Sequence, residues 1–174
     1  FFTLCDAIYE LGMTPVIWAG IAQVYINNFL ISLIADYEGY DQMKLHYSLD
    51  GTATDIIEKI NSDGSITLKD PTTITNENGY LLYNQAGYYY ALQFLDRLLN
   101  TKTADGKSYK YYDPAKSRSS TRSQKQAQSD FLRGRFSQNL QTTAMLIDGT
   151  WWYAEADATF RQMASIPGAS STER

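Results

Sequence analysis

The amino-acid sequence predicts an α/β fold, in which a helix-rich domain contains a few short strands. Two kinds of local pattern predict it: several long segments carry apolar residues at helical spacing, and two short apolar runs fit buried strands. The length of 174 residues suffices for one domain with its own core. With 44% hydrophobic and 20% charged residues, the composition is that of an ordinary globular protein.

The first third of the chain predicts two helices separated by a strand. Phe1–Leu11 has an amphipathic helical pattern that Gly12 ends. The apolar run Thr14–Ala19 fits a short strand. From Ala22 onward, apolar residues recur at spacings of three and four, which predicts a long helix ending before Gly39.

The middle of the chain is less regular. A shorter helix is predicted from apolar residues at helical spacing, namely Ala53, Ile56, Ile57 and Ile60. The turn-forming residues 61–64 end it. A flexible loop is predicted near 61–80, with a small hairpin around Ile66 and Leu68. A helix over Asn84–Asn100 follows, and its predicted core face comprises Tyr88, Ala91, Leu92, Leu95 and Leu99.

The last part of the chain holds the second predicted strand. Thr101–Ser123 predicts a flexible, solvated loop rich in basic residues. Gln124–Leu132 fits a surface helix, and Thr142–Ile147 fits a buried strand. Thr150–Met163 predicts the final helix.

Composition excludes several classes of function. A net charge of −4 disfavours binding to nucleic acid. A single cysteine excludes an intramolecular disulfide. The single histidine, His46, lacks the further histidine and cysteine ligands of a typical zinc site. No catalytic residues stand out and no cofactor is expected. The 14 tyrosines suit a carbohydrate-binding or protein-binding surface, or a tyrosine-rich core.

Two adjacent tryptophans follow the Asp-Gly break at 148–149. On a helix, Trp152 shares one face with Ala156, Phe160 and Met163, which predicts a place in the core. Trp151 points about 100° away from that face, which predicts an open edge. Gly149 would allow a ligand to approach the backbone there. These features together indicate a binding corner.

The segment "FLRGRFSQNLQTTAMLIDGTWW" resembles the late part of extracellular solute-binding proteins of ABC importers, the group that contains maltose-binding protein. The residues that match are Phe131, Gly134, Ala144, Met145, Ile147, Gly149 and Trp151. A short insertion after Gly134 departs from the family pattern. The segments "LCDAIYELGMTPVIWAG", "YINNFLISLIADYEGY" and "YYYALQFLDRLLN" resemble family segments in the same order.

The resemblance implies one lobe, residues 1–174, of a two-lobed protein with a type II periplasmic-binding-protein-like fold. Such a protein is a monomer without enzymatic activity. It captures a small solute, here a sugar or oligosaccharide, at the extracellular face of the cytoplasmic membrane or in the periplasm, and delivers it to ABC permease subunits. The chain starts within a helical pattern and ends in a loop, so we expect it to be a piece of a longer protein. The resemblance implies that this full-length protein is lipid-anchored.

The resemblance also implies site residues. Trp151 falls on the family's sugar-stacking tryptophan, and Gly149 precedes it. Trp18 follows the first strand, where the family's cleft is lined, although a core position fits it equally well. Tyr25 matches a family aromatic residue but also lies on the apolar stripe of its helix. Asp148 could accept hydrogen bonds from sugar hydroxyls or cap the following helix.

Three other functions remain open. A glycoside hydrolase would need two carboxylates across a cleft, for which Asp148, Glu155 and Asp157 are candidates. A glycan-binding surface lipoprotein would also be rich in tyrosine and tryptophan. A protein-interaction domain would use the tyrosines at an interface.

Overall fold

The computed structural model describes residues 1–134 and 141–164. It is a mixed α/β structure, in agreement with the coarse prediction. The described residues form two compact units: one combines residues 1–27 with residues 98–134 and 141–164, and the other comprises residues 28–97. None of the described helices is both long and apolar enough to span a membrane.

The helices and strands alternate irregularly along the chain. In order they are α1 (Phe2–Glu10), β1 (Thr14–Ile17), α2 (Val24–Ser48), β2 (Gly51–Ala53), β3 (Ile57–Ile60), β4 (Ile66–Leu68), β5 (Thr72–Ile74), a 3-10 helix (Gly79–Asn84), α3 (Ala86–Asn100), α4 (Pro114–Ser117), α5 (Gln124–Arg133), β6 (Thr143–Leu146), α6 (Trp152–Glu155) and α7 (Asp157–Met163).

A parallel pair of strands, β1 and β6, organises the first unit. Val16 lies opposite Met145, and the amide of Ile147 extends the pairing by donating to the carbonyl of Ile17. Every residue of β1 is buried, which explains why its sequence is a continuous apolar run. Both predicted strands are confirmed. Because the strands are parallel, their carboxyl ends lie at the same edge.

The first predicted helix is also confirmed. It buries Cys5 and Ile8, and Gly12 follows its end with a φ of +75°, a conformation that glycine adopts without strain.

The single helix predicted over Thr150–Met163 is wrong in one respect, because the chain breaks at Ala156 into α6 and α7. Asp157 lies in the first turn of α7, where a carboxylate favours a helix N-terminus. The predicted core face is nevertheless confirmed. Ala156, Phe160 and Met163 form a buried cluster with Leu132, and Trp152 packs against it.

The segment around α5 is more buried than predicted. A capping box of Ser123 and Gln126 begins the helix, but its inner face buries Gln128 and Asp130, so the prediction of a surface helix is wrong. Arg122 forms an ion pair with Asp130, and Lys116 lies 3.9 Å from the same carboxylate. The basic segment 101–123 is therefore not simply solvated, because its cations neutralise a buried acid. Two of its tyrosines, Tyr111 and Tyr112, are buried as well.

In the second unit, α2 extends beyond its predicted end. Gly39 has φ 76° and ψ 173°, so the helical geometry is interrupted where the sequence predicts, but a second helical stretch then continues to Ser48. The helix predicted over Asn84–Asn100 is confirmed as α3. Its predicted core face is partly wrong, because Ala91 and Leu98 are buried while Leu92 is exposed.

The helix predicted from Ala53 to Ile60 is wrong, because this segment forms β2 and β3. β2 pairs antiparallel with β5, and β3 pairs antiparallel with β4. The hairpin predicted around Ile66 and Leu68 is therefore confirmed. Isoleucine favours strands. Ile56 forms a bridge with Gln85, and within β3 Ile57 is buried while Ile60 is exposed, so the three isoleucines do not share one helical face. The core of this unit is a cluster of Leu45, Ala53, Ile56, Ile74 and Leu82.

Candidate functional site

The candidate site lies beyond the carboxyl ends of β1 and β6, the edge at which open α/β sheets bind ligands. The chain leaves β6 through Ile147, Asp148 and Gly149 and enters α6 two residues later. Helices α2 and α5 bring further side chains to the same place. We call this group the carboxyl-end corner and define it by six residues: Tyr25, Gln128, Asp148, Gly149, Trp151 and Glu155.

Trp151 is the exposed aromatic residue of the corner. Its side chain is 48% exposed. The indole folds back over Gly149, and a Cβ atom at position 149 would collide with the ring. By contrast, Trp152 packs edge-on against Phe131, with 6.0 Å between the ring centroids. The two tryptophans thus divide as the helical pattern predicts, one towards the core and one towards solvent.

Tyr25 lies beside Trp151, with 6.3 Å between the ring centroids. The tyrosine is 9% exposed, so it contributes mainly to the wall of the corner. Burial raises the pKa of its phenol, and the negative charges of Asp148 and Glu155 raise it further, while an interaction with the indole N–H of Trp151 lowers it. The phenol oxygen therefore lies near both carboxylates.

Gln128 holds the two carboxylates of the corner in place. Its side chain is fully buried, and Nε2 donates to Asp148 Oδ2 at 3.0 Å and to Glu155 Oε2 at 2.9 Å. The other oxygen of Asp148 accepts the backbone N–H of Gly149 at 2.7 Å. In the described part of the chain, Gln128 Oε1 is buried without a hydrogen-bond partner. Such a group is uncommon and often marks a functional site.

Sequence reasoning missed Gln128 altogether. The stretch "QKQAQSD" is polar throughout and carries no motif. One weak signal exists: Gln128 lies four residues before Leu132, hence on the same face of α5 as a core leucine. From the sequence, Glu155 is a candidate only for one of the two carboxylates of a glycoside hydrolase.

Trp18 lies in the core. It is 4% exposed, and its ring packs against Tyr112 with 4.9 Å between centroids. Its backbone N–H donates to Ser117 Oγ at 3.4 Å. The structure thus brings Tyr25, Asp148, Gly149 and Trp151 together and leaves Trp18 without an accessible face for a ligand.

The chemistry of the corner suits a ligand with many hydroxyl groups. Carboxylate oxygens accept hydrogen bonds from hydroxyls, and an exposed indole offers an apolar surface beside them. Within residues 1–134 and 141–164, no group of three or more His, Cys, Asp and Glu side chains is arranged to hold a metal ion.

A concave region lies at the opposite, amino end of the strand pair. This amino-end cavity has a volume of about 530 Å³, and Thr14 and Gln141, at the start of β1 and before β6, lie in its wall. Its lining also includes Tyr9, Asp105, Tyr109, Lys110, Tyr112 and Asp113. Lys110 Nζ lies 2.8 Å from Asp6 Oδ1, and Asp113 caps α4 by accepting the amide of Ala115.

No protein-family model matches the chain, and no curated protein or solved structure matches it either. The functional proposal therefore depends on the chemistry of the carboxyl-end corner and on the sequence resemblance. Among the described residues, the corner combines an exposed indole, two anchored carboxylates and an unpartnered buried amide oxygen.

Proposed function

We propose that this protein binds a carbohydrate at the carboxyl-end corner and does not catalyse a reaction on it. The observation that carries the proposal is the half-exposed ring of Trp151 beside the carboxylates of Asp148 and Glu155. A sugar ring has an apolar face of C–H groups and an edge of hydroxyls. The indole would stack on the face, and the carboxylates would accept hydrogen bonds from the edge.

Preorganisation supports this proposal. The buried amide of Gln128 fixes both carboxylates, so little side-chain entropy is lost when a ligand binds. The absence of a side chain at Gly149 leaves the space in which the Trp151 ring lies over the backbone. A site whose polar groups are already oriented loses less side-chain entropy when a ligand binds.

The biological role that we propose is that of the substrate-binding component of an ABC importer. In this proposal the chain is a lobe of the type II periplasmic-binding-protein-like fold. It captures a sugar or oligosaccharide at the extracellular face of the cytoplasmic membrane or in the periplasm, as part of a lipid-anchored protein, and delivers it to permease subunits. The ordered sequence resemblance and the parallel β1–β6 pair support it.

The test is a thermal-shift screen of the protein with mono- and oligosaccharides, amino acids and peptides, followed by calorimetric titration of any hit. We expect one sugar series to raise the unfolding midpoint, because a ligand of the native state stabilises it. Trp151→Ala should weaken that sugar roughly tenfold, or about 1.4 kcal/mol. Tyr153→Ala, which removes another exposed aromatic residue of the same segment, is the control and should bind normally. Equal affinities for the two variants would exclude the corner as the site.

A glycoside hydrolase is the second candidate, because Asp148 and Glu155 share one amide nitrogen and therefore lie close together. However, a glycosidase needs one carboxyl group to be protonated before it can act as the acid. The amide nitrogen of Gln128 donates to both groups in the same way, so the geometry sets neither carboxyl group apart as the acid. Release of nitrophenol from a panel of nitrophenyl glycosides, lost in Glu155→Gln, would establish hydrolysis in place of binding.

A further inference from the structure

The second unit contains a polar cluster around Gln85, whose side chain is fully buried. Gln85 Nε2 lies 2.9 Å from Asp55 Oδ1, 3.1 Å from Gln42 Oε1 and 3.2 Å from Glu38 Oε2. Its Oε1 atom lies 3.1 Å from His46 Nε2. An amide nitrogen carries two hydrogens, so it cannot satisfy three acceptors. At least one of these acceptors needs another donor.

The missing donor is supplied if either Glu38 or Asp55 carries a proton. Their carboxyl groups contact each other, and Asp55 Oδ2 is buried with no hydrogen-bond partner within the described ranges when both groups are ionised. Two ionised carboxylates are acceptors only, so their contact becomes a hydrogen bond when one of them is protonated. Burial, together with the contact and charge of Asp55, raises the pKa of Glu38 to about 8, against the opposing effect of the Gly87 amide.

The position of Glu38 gives this proton a structural role. Its Oε1 atom accepts the backbone N–H of Gly87, in the first turn of α3, at 2.6 Å. Glu38 also directly precedes Gly39, where α2 bends. A Cβ atom at position 87 would collide with the Glu38 carboxyl group, so the close approach requires glycine there. Glu38 thus connects the bend of α2 to the start of α3.

We propose that Glu38 and Asp55 share one proton, and that this proton holds the bend of α2 against the N-terminus of α3. The second unit then loosens when the pH rises through the range in which Glu38 ionises, because two adjacent, partly buried carboxylates repel each other. This pH-sensitive contact is independent of the proposed sugar binding.

Other titratable groups also face the pair. On α2, Tyr37 lies nearby, and His46 reaches the pair through Gln85. On α3, Tyr88 faces Glu38. Burial raises the phenol pKa of both tyrosines, so they stay neutral where Glu38 ionises. Within the described residues, neither carboxyl group forms an ion pair with a lysine or arginine.

The pH dependence follows from the raised pKa. Between the ordinary glutamate pKa of 4.5 and the folded value of about 8, the folded state holds a proton that the unfolded state releases. The stabilisation that protonated Glu38 contributes is therefore fully present below pH 4.5 and is lost as the pH rises towards about 8.

The test compares thermal unfolding midpoints from pH 5 to pH 9 for the wild-type protein, Glu38→Gln and Glu58→Gln. Glu58 is an exposed glutamate of β3 in the same unit, so its variant is the matched control. We expect the midpoints of the wild type and the control to fall across this range. That of Glu38→Gln should fall less, because its amide donates to Asp55 at every pH. Equal slopes for Glu38→Gln and the wild type would overturn the proposal.

A second measurement does not depend on the folding of a variant. Carbon-13 NMR of the side-chain carboxyl groups in the wild-type protein should show Glu38 titrating with a pKa of about 8. Titration near the ordinary 4.5 would overturn the shared proton even if Glu38→Gln failed to fold.

Discussion

The two ends of the β1–β6 pair differ in how their polar groups are satisfied. At the amino end, the cavity is larger than a single side chain, yet its charged groups bind each other or the backbone, as Lys110 does with Asp6 and Asp113 with Ala115. At the carboxyl end, Gln128 Oε1 has no partner among the described residues, and nearly half of Trp151 is exposed. The carboxyl end thus presents an exposed aromatic ring beside an unpartnered amide oxygen, whereas the amino end presents a cavity whose charged side chains already have partners.

The difference has a structural origin. The wall of the amino-end cavity is a turn-rich segment, in which Asp105 accepts hydrogen bonds from Thr103 and from the amide of Lys107. These local contacts satisfy the carboxylate of Asp105 within its own segment. The carboxyl-end corner instead combines side chains from three helices and a strand end, and one buried amide, that of Gln128, bonds the carboxylates of Asp148 and Glu155.

The largest effect is expected from Gln128→Leu, which removes the shared donor without leaving a cavity. Asp148 and Glu155 would then lose their partner in a partly buried place, at a cost of about 2 kcal/mol in the free energy of unfolding. Urea unfolding measures it, with the exposed helical residue Gln93→Leu as the control. If Gln128→Leu were as stable as the wild type and the control, the hydrogen bonds of Gln128 would contribute nothing to the free energy of unfolding.

A smaller effect is expected from Gly149→Ala, which removes none of the other side chains of the carboxyl-end corner. The new methyl group would displace the Trp151 ring, so affinity for the sugar should fall roughly tenfold, or about 1.4 kcal/mol. Calorimetric titration checks this, and circular dichroism should show unchanged secondary structure. Wild-type affinity would mean that the ring position does not matter for binding.

The smallest effect is expected from Lys110→Met in the amino-end cavity. This change breaks the contact with Asp6 but keeps most of the side-chain volume. Sugar affinity should equal that of the wild type, because the proposed site lies at the other end of the strands. A loss comparable to that of Gly149→Ala would reverse the comparison and make the amino-end cavity the binding site.

The sequence predicts those parts of the molecule that local patterns determine. The continuous apolar runs predict β1 and β6, and the Asp-Gly break before two tryptophans predicts where the corner lies. The spacing of Ile56, Ile57 and Ile60 fits a helix and two short strands alike. The choice between them depends on pairing with residues 66–74, which local spacing does not report.

Gln128 and Glu38 show the same limit for polar residues. A helical pattern identifies the apolar face of α5, but a glutamine on that face looks like any surface glutamine until Asp148 and Glu155 are placed opposite it. Glu38 lies in a helix whose apolar pattern does not predict its contacts with Asp55 and Gly87. Both networks join segments that are distant in sequence, so they follow from the fold rather than from a motif.

The unequal burial of the three tryptophans provides a natural optical probe. Trp18 is enclosed and Trp152 is partly covered by the apolar cluster, whereas Trp151 is open to solvent. A collisional quencher such as iodide or acrylamide should therefore reduce mainly the fluorescence of Trp151. A ligand stacked on that indole would shield it, so the intrinsic emission of the unlabelled protein can report occupancy directly.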